Sequence, residues 1–451
     1  MIVRARIVVT MDGRPIENGA VAISENQIDD SPPGSSPSRA ARLCRSAPAG
    51  SVVEVGKFDS IKKGNSGEVL DLGEQALLPG LINAHCHLDY TCLRGKIPPR
   101  KSFADWIRAI NAEKAKLLPQ DYVASINEGF AEAKRFGTTT IANLTAFPEL
   151  ISQIQAPIRT WWFAELIDVR SPKRANELVD LAVESLGRAR PEPVQSEVEG
   201  GAPGGLAPHA LFTASKDLYR CCDDVARREN ILLTTHLAES REEMEMFRDG
   251  SGPLYDFMKV IGRDMKDCSG ETPLALFVNS FGAPGGRALP GEWIVAHLNE
   301  LAESDFELLK DLTNKFHVVH SPRSHDYFGH SRFRFENLRA LGFNICLGTD
   351  SLASNQSLSL FAEMRQFQRS EPGISPDKLF EMVTINAALA LHQKKSLGRI
   401  RPGFQADLIA VPSSGGENLF EQIVAFDGQV DWMFLDGKQK RSTPAPANVP
   451  R

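Results

Sequence analysis

Pro79-Gly80-Leu81-Ile82-Asn83-Ala84-His85-Cys86-His87 carries a short apolar run, Leu77 to Ala84, into two histidines one residue apart. A run of this length and composition reads as a buried strand. Successive side chains of a strand point to opposite faces, so His85 and His87 share a face and can reach one metal ion. If the strand belongs to an α/β barrel, its C-terminal end opens on the face where such barrels carry their chemistry. An H-x-H pair also arises by chance, so the reading depends on what surrounds it.

Outward from that stretch, apolar runs alternate with helix-like segments. The further runs are Thr138 to Leu144, Ile158 to Leu166, Leu206 to His209, Ile231 to His236, Trp293 to His297, Phe316 to His320 and Phe343 to Asp350. Between them lie Phe103 to Leu117, Asp121 to Phe136, Lys173 to Arg190, Lys216 to Glu229 and Glu303 to Lys315. Strand–helix alternation argues for βα units and a parallel sheet, and eight runs fit an α/β fold of the (β/α)8 TIM barrel type, here over residues 78–396. The chain ends differ. Ile2 to Thr10, Gly19 to Ser24 and Glu68 to Leu72 read as strands within 1–77, as do Ala406 to Val411 and Val430 to Leu435 within 397–451. From their positions, the two ends are expected to form one small discontinuous β-sandwich domain. Residues 29–51, dense in Ser, Pro and Gly, read as a flexible insertion, and Gly282 to Gly291 as a second.

Composition narrows the classes. The chain has 451 residues and a formal charge of −6, from 51 Lys and Arg against 57 Asp and Glu, which disfavours a nucleic-acid or anionic-membrane surface. No apolar run approaches membrane-span length, and Met1 to Thr10 lacks the apolar core of a signal peptide. The seven cysteines form no C-x-x-C pair and read as reduced thiols, so a cytoplasmic location is expected.

The candidate chemistry collects at strand ends. His85 and His87, His209, His236, His297 and His320 close expected strands, and the eighth run ends in Leu347-Gly348-Thr349-Asp350-Ser351. Three neutral imidazoles and one carboxylate make a site suited to one divalent metal ion, Zn2+ first and Fe2+ as the alternative. Glu239, three residues after His236, could move protons beside that ion. Read alone, it also fits an acidic first turn of a helix.

Together these residues resemble the amidohydrolase superfamily, in its branch of hydrolytic deaminases and chlorohydrolases, which includes guanine deaminases, methylthioadenosine/adenosylhomocysteine deaminases and triazine hydrolases. The resemblance rests on the stretch from Pro79 to His87, on His236-Leu237-Ala238-Glu239, His297 and Thr349-Asp350. Leu93-Arg94-Gly95, Gly137-Thr138-Thr139-Thr140, Ala207-Pro208-His209-Ala210 with Thr213-Ala214-Ser215, and the tail Gly398…Pro402-Gly403…Ala406-Asp407-Leu408 extend it over nearly the whole chain. It implies His85, His87, His236 and Asp350 as metal ligands, Glu239 as proton shuttle, His297 as the polarising histidine and Asp350 as the group that orients the attacking water. It implies His209 as a substrate contact. A binuclear relative would carry a lysine at the end of the fourth strand; its lack here points to a single ion. The implied reaction is attack of a metal-bound hydroxide on a ring carbon bearing an amino group. Asp89, Tyr90 and Arg94, Glu165 and Arg323 are further candidates to line the substrate pocket. Asp89 could instead cap a turn and Arg94 could be a structural ion-pair partner. The segment from His320 to His330 has His325 where relatives carry Asn, while His317 and His392 read as structural. The alternatives are a chlorohydrolase or other C–N bond hydrolase on the same site and, more remotely, a non-catalytic scaffold. The cytidine-deaminase signature H-x-E…P-C-x-x-C is absent. The expected partner is a small-molecule substrate, with neither nucleic acid nor membrane, and relatives make a homodimer the expected assembly.

Overall fold

Period-two burial builds the first sheet from the chain ends. The structure, a computed structural model, describes residues 1–24, 48–188, 204–281, 293–435 and 437–441. Strand β1 (Ile2–Val8) pairs antiparallel with β2 (Ile16–Ile23), which pairs with β3 (Val52–Lys57). β4 (Val69–Asp71) and β5 (Gln75–Pro79) run parallel to β1, the first beside Ile2–Arg4 and the second beside Ile7–Val8.

The barrel follows: β6 (Leu81–His87), β7 (Thr138–Thr145), β8 (Arg159–Leu166), β9 (Gly204–Pro208), β10 (Leu232–Leu237), β11 (Trp293–His297), β12 (His317–His320), β13 (Asn344–Leu347) and β14 (Asp350–Ser351), all parallel. β13 and β14 are two halves of one strand. β13 pairs with β12 and β14 with β6, so the ring closes. The chain then re-enters the first sheet through β15 (Leu408–Pro412), β16 (Trp432–Leu435) and β17 (Lys438–Arg441), with β15 antiparallel to β5.

Alternation explains how the two bodies share a core. In the terminal sheet Val3, Val21, Leu77, Leu408 and Phe434 bury into one cluster, while their neighbours Leu78, Ile409 and Met433 join the large cluster around the barrel. Inside the barrel, Ile82, Ala84, Leu144, Phe163, Ala207, Leu232, Ile294, Val319 and Cys346 fill a separate interior layer. Outside it, helices such as Pro119–Arg135, Ala175–Arg188 and Lys216–Glu229 bury one face each; the last starts at Ser215, whose side chain accepts the Leu218 N–H, and ends at left-handed Asn230.

Two glycines permit the closest approaches. A Cβ on Gly348 would lie 2.7 Å from the His85 carbonyl oxygen, so only glycine lets the broken eighth strand close against β6. A Cβ on Gly80 would lie 2.1 Å from Thr139 Oγ1. Gly80 is the joint between the two sheets: its N–H donates to the Asp407 carbonyl at 2.8 Å. The Asp407 carboxylate takes two hydrogen bonds from Arg159, at 2.6 and 3.2 Å, which ties the start of β8 to the same joint.

The structure changes several sequence expectations. The run Leu77 to Ala84 belongs to two sheets, divided at Gly80, because the chain passes there from the terminal sheet into the barrel. Residues 52–57 form a strand and Phe58–Gly64 a helix, neither of which stands out in the sequence. Residues 29–47 and 282–291, read as insertions, lie outside the described residues, but Ser51, at the end of the first, is built into the fold. It bridges to Gln405 and accepts the Ser24 N–H on its carbonyl at 2.9 Å. No helix among the described residues is long and apolar enough to cross a membrane.

Gly80→Ala is expected to destabilise the fold by about 1–3 kcal/mol through overpacking against Thr139. Thr139→Ala in the same chain should restore part of it, read as the shift in denaturant midpoint. A Gly80→Ala midpoint equal to that of the parent would contradict the joint.

Candidate active site

Simple pleating brings some of the expected residues to the barrel mouth, and backbone irregularities bring the others. His236 follows Leu232 and Thr234 in phase on β10, so it faces inward as the interior Leu232 does. On β6 the interior residues are Ile82 and Ala84, which puts His85 and His87 out of phase. The register with β7 shifts between Asn83 and Cys86, and this irregularity swings both histidines inward. His297 is likewise out of phase with interior Ile294, and it has a left-handed backbone, φ 75°. Ala238, Leu298 and Asp350 share that conformation, at φ 50°, 52° and 55°. Non-glycine residues with positive φ are strained, and here four of them sit at one site.

The imidazoles converge. The ring centroids of His85, His87 and His236 lie 5.0–5.2 Å apart, and His87 Nε2 is 3.2 Å from His236 Nε2. His236 Nδ1 faces the His209 carbonyl at 2.9 Å, which places its proton there and leaves Nε2 a bare lone pair. Both His85 ring nitrogens and His87 Nδ1 are buried without a hydrogen-bond partner. Burial, reinforced by mutual proximity, drives His85 down to about 3 and His87 well below the ordinary histidine value, so these rings are neutral. Neutral imidazoles with unpartnered nitrogens, directed at one point, fit a metal ion, and His85, His87 and His236 form a group whose ligand atoms lie within 4.8 Å of one another. Asp350 Oδ1 stands 3.8 Å from His85 Nε2 and 3.9 Å from His87 Nε2. Burial pushes the Asp350 carboxyl upward, and the hydrogen bond from the Ser324 hydroxyl works against it in favour of the anion. Its other oxygen accepts from Ser324 at 2.6 Å and Ser354 at 3.2 Å, which leaves Oδ1 facing the imidazoles.

Glu239, His297 and Asp350 form a second such group. Glu239 Oε2 lies 3.8 Å from His297 Nε2. Burial, then the nearby carboxylates of Asp350 and Glu243, push the Glu239 carboxyl well above its ordinary value, so it is suited to carry a proton. Its backbone is held on both sides. Glu243 accepts the N–H groups of Ala238 and Glu239 at 3.2 and 2.7 Å, and Asn299 Nδ2 donates to the Glu239 carbonyl at 3.0 Å.

Sequence reasoning missed Ser324, Ser354, Glu243 and Asn299. Glu243 had a signal: Ser240-x-x-Glu243 is a capping-box pattern, and the Ser240 hydroxyl accepts the Glu243 N–H at 3.2 Å. The other three act through contacts that only the folded barrel creates.

The expected substrate contacts separate. His209 lies at the mouth, 4.7 Å from His236 between ring centroids, with Nδ1 on Thr213 Oγ1 at 2.6 Å. Tyr90 stacks beside His87 at 5.9 Å. Asp89 spends one oxygen on Thr145 and the Ala146 N–H, at 3.1 and 2.9 Å, and keeps Oδ1 buried and unpartnered; burial raises it to about 7. Arg94 is engaged in an ion pair with Glu132. The Arg323 guanidinium donates to Ser357 at 2.8 Å and Gln356 at 3.1 Å. His320 stacks on Phe333 at 4.0 Å and His325 bonds the Ser331 carbonyl at 2.8 Å. His317 pairs with Asn344 at 2.9 Å on the far side of β12 from its C-terminal end.

Comparison with known proteins shows the family and the fold. Residues 76–440 match the family described as "Amidohydrolase family". The chain is 27% identical over 410 residues to a 5'-deoxyadenosine deaminase of Methanocaldococcus jannaschii, covering 85% of this chain and 88% of that one. It is 30% identical over 359 residues to a 5-methylthioadenosine/S-adenosylhomocysteine deaminase of Syntrophobacter fumaroxidans, covering 76% and 73%. In fold it is similar to an adenosine deaminase from Xanthomonas campestris crystallised with bound zinc, with a TM-score of 0.74 and 21% identity over 98% of this chain and 92% of that one.

Ser324→Ala removes the shorter of the two bonds that aim Asp350. It is expected to weaken retention of an added divalent ion roughly 10- to 100-fold in a chelator competition, with the circular dichroism spectrum unchanged. Retention equal to that of the parent would contradict the role of Ser324.

Proposed function

The chain belongs to the amidohydrolase family, and on that premise we propose that it is a metal-dependent hydrolytic deaminase acting on an amino-substituted heterocycle. The substrate class to test first is a 6-aminopurine nucleoside, because the relatives act on deoxyadenosine, methylthioadenosine and adenosylhomocysteine by name. The observation that carries the reading is the meeting of two opposite functions at Asp350. Neutral imidazoles that can hold an ion and Glu239, a buried carboxyl that can hold a proton, both lie beside that carboxylate.

In this reading His85, His87, His236 and Asp350 hold the ion, and zinc is the metal of choice for a three-imidazole, one-carboxylate set. The bound zinc of the Xanthomonas campestris structure supports that choice. When bound, such an ion supplies a Lewis acid and lowers the pKa of a coordinated water from about 15.7 towards about 7. Asp350 Oδ1 accepts the proton of the attacking water. Glu239 donates its proton to the ring nitrogen beside the amino-bearing carbon, so negative charge does not build there. His297, against Glu239 and the ion-holding group, stabilises charge at the carbon that becomes tetrahedral. Glu239, recharged with the proton that Asp350 took from the water, passes it to the amino group, which leaves as ammonia as the carbon–nitrogen bond breaks; the hydroxyl proton left on the ring carbon's oxygen then restores Glu239. All six cysteines among the described residues are free thiols, which supports a reducing, cytoplasmic setting.

Ammonia release by the zinc-loaded chain on adenosine, 5'-deoxyadenosine, 5'-methylthioadenosine, S-adenosylhomocysteine, guanine and a chlorinated triazine tests the reading. Release from at least one 6-aminopurine nucleoside is expected. Chloride release from the triazine with no ammonia from any purine would favour a chlorohydrolase instead. Glu239→Gln should keep its zinc and lose about 10²- to 10⁴-fold in turnover; near-parental turnover would remove Glu239 from the proton path.

A further inference from the structure

Glu165 ends β8 in phase with the interior residues Trp161 and Phe163, so its carboxylate enters the barrel. It is buried, and its Oε1 has no hydrogen-bond partner. Two ring nitrogens face that oxygen: His87 Nδ1 at 3.7 Å and His209 Nε2 at 3.9 Å.

The hydrogen-bond pattern separates these two neighbours. His236 Nδ1 gives its proton to the His209 carbonyl, so His236 Nε2 is a lone pair. His87 Nε2 lies 3.2 Å from it. If both nitrogens serve one ion, both are lone pairs, and the His87 proton sits on Nδ1. That Nδ1 is buried and unpartnered. His209 differs. Its Nδ1 meets Thr213 Oγ1 at 2.6 Å, and the Thr213 hydroxyl reaches the Ala210 carbonyl at 3.2 Å. With the Thr213 proton on that carbonyl, His209 Nδ1 is the donor, and its Nε2 is a lone pair that offers a carboxylate nothing. One buried acceptor without a donor therefore faces one buried donor without an acceptor. A closure of about 0.8 Å brings them to ordinary N–H···O length.

We propose that Glu165 is a positioning residue of the metal centre: its carboxylate accepts the Nδ1 proton of His87 when His87 ligates the ion, fixing the ring's tautomer and orientation. This rests on the reading of His85, His87, His236 and Asp350 as an ion site, and it moves Glu165 from lining the substrate pocket to acting through His87. The bond would also relieve the desolvation of both groups.

Zinc affinity of the full chain, measured by competition with a chromophoric chelator, tests the proposal in Glu165→Gln and Glu165→Leu, with circular dichroism as the folding control. The visible spectrum of the cobalt-substituted protein is a second readout, because it responds to ligand orientation and is indifferent to packing elsewhere. The expected order of affinity is parent, then Glu165→Gln, then Glu165→Leu, with a total loss of roughly 10- to 100-fold and shifted cobalt bands. If Glu165→Leu does not fold, Glu165→Gln decides alone. Parental affinity and an unchanged cobalt spectrum, with a raised KM, would overturn the proposal and make Glu165 a substrate contact. A parent chain that binds neither zinc nor cobalt would overturn the ion site and this inference with it. A parent that binds zinc without releasing ammonia would overturn only the deaminase reading, since affinity is read independently of turnover.

Discussion

Buried imidazoles aimed at one point set the demand that the surrounding barrel has to meet. His87 Nε2 and His236 Nε2 face each other at 3.2 Å, and both His85 nitrogens have no hydrogen-bond partner. Unpartnered buried polar atoms are costly, so a fold that collects them must hold them in place by other means. Here the means are backbone irregularities at strand ends. A register shift in β6 turns His85 and His87 inward, and left-handed residues shape the rest of the site: Ala238, His297 and Leu298 at the ends of β10 and β11, and Asp350 on β14 beside β6. Gly348 lets the broken eighth strand come close enough to β6 to bring Asp350 to the same point.

Hydrogen bonds from residues outside the reacting set carry that strain. Glu243 and Asn299 hold the turn that presents Glu239, and Ser324 and Ser354 take one oxygen of Asp350 so that the other faces the imidazoles. The terminal sheet contributes from the opposite end. Its strand β5 runs directly into β6 through Gly80, and Arg159 and Asp407 fasten the joint. A site on strand ends gains precision from such rigid neighbours, as a loop-borne site would not.

The barrel is legible in the sequence because its strands are buried on both faces and read as continuous apolar runs, from Thr138 to Leu144 through to Trp293 to His297. The site is legible because every barrel strand ends at one face, so histidines scattered over two hundred and more positions, from His85 to His297, can be grouped without knowing any contact. What was illegible has physical reasons. The division of Leu77 to Ala84 at Gly80 leaves the apolar run unbroken, because both halves are buried. Period-two reasoning put His85 and His87 on one face, correctly, but could not see that the interior phase of Ile82 and Ala84 required a register shift to put that face inward. β3, Val52–Lys57, follows the Ser- and Pro-rich segment and is too short and mixed to stand out. Arg94 and Arg323 looked like pocket cations, and their guanidinium groups meet Glu132, Gln356 and Ser357, partners remote in sequence.

In the proposed function one bound ion, held by His85, His87, His236 and Asp350, makes this barrel a deaminase. The most direct test is a titration of metal-free full-length chain with zinc, following ammonia release from a 6-aminopurine nucleoside. Negligible release without metal and a linear rise that breaks at one zinc per chain are expected. Full turnover in the metal-free chain, or a break at two zinc ions per chain, would contradict the proposed function.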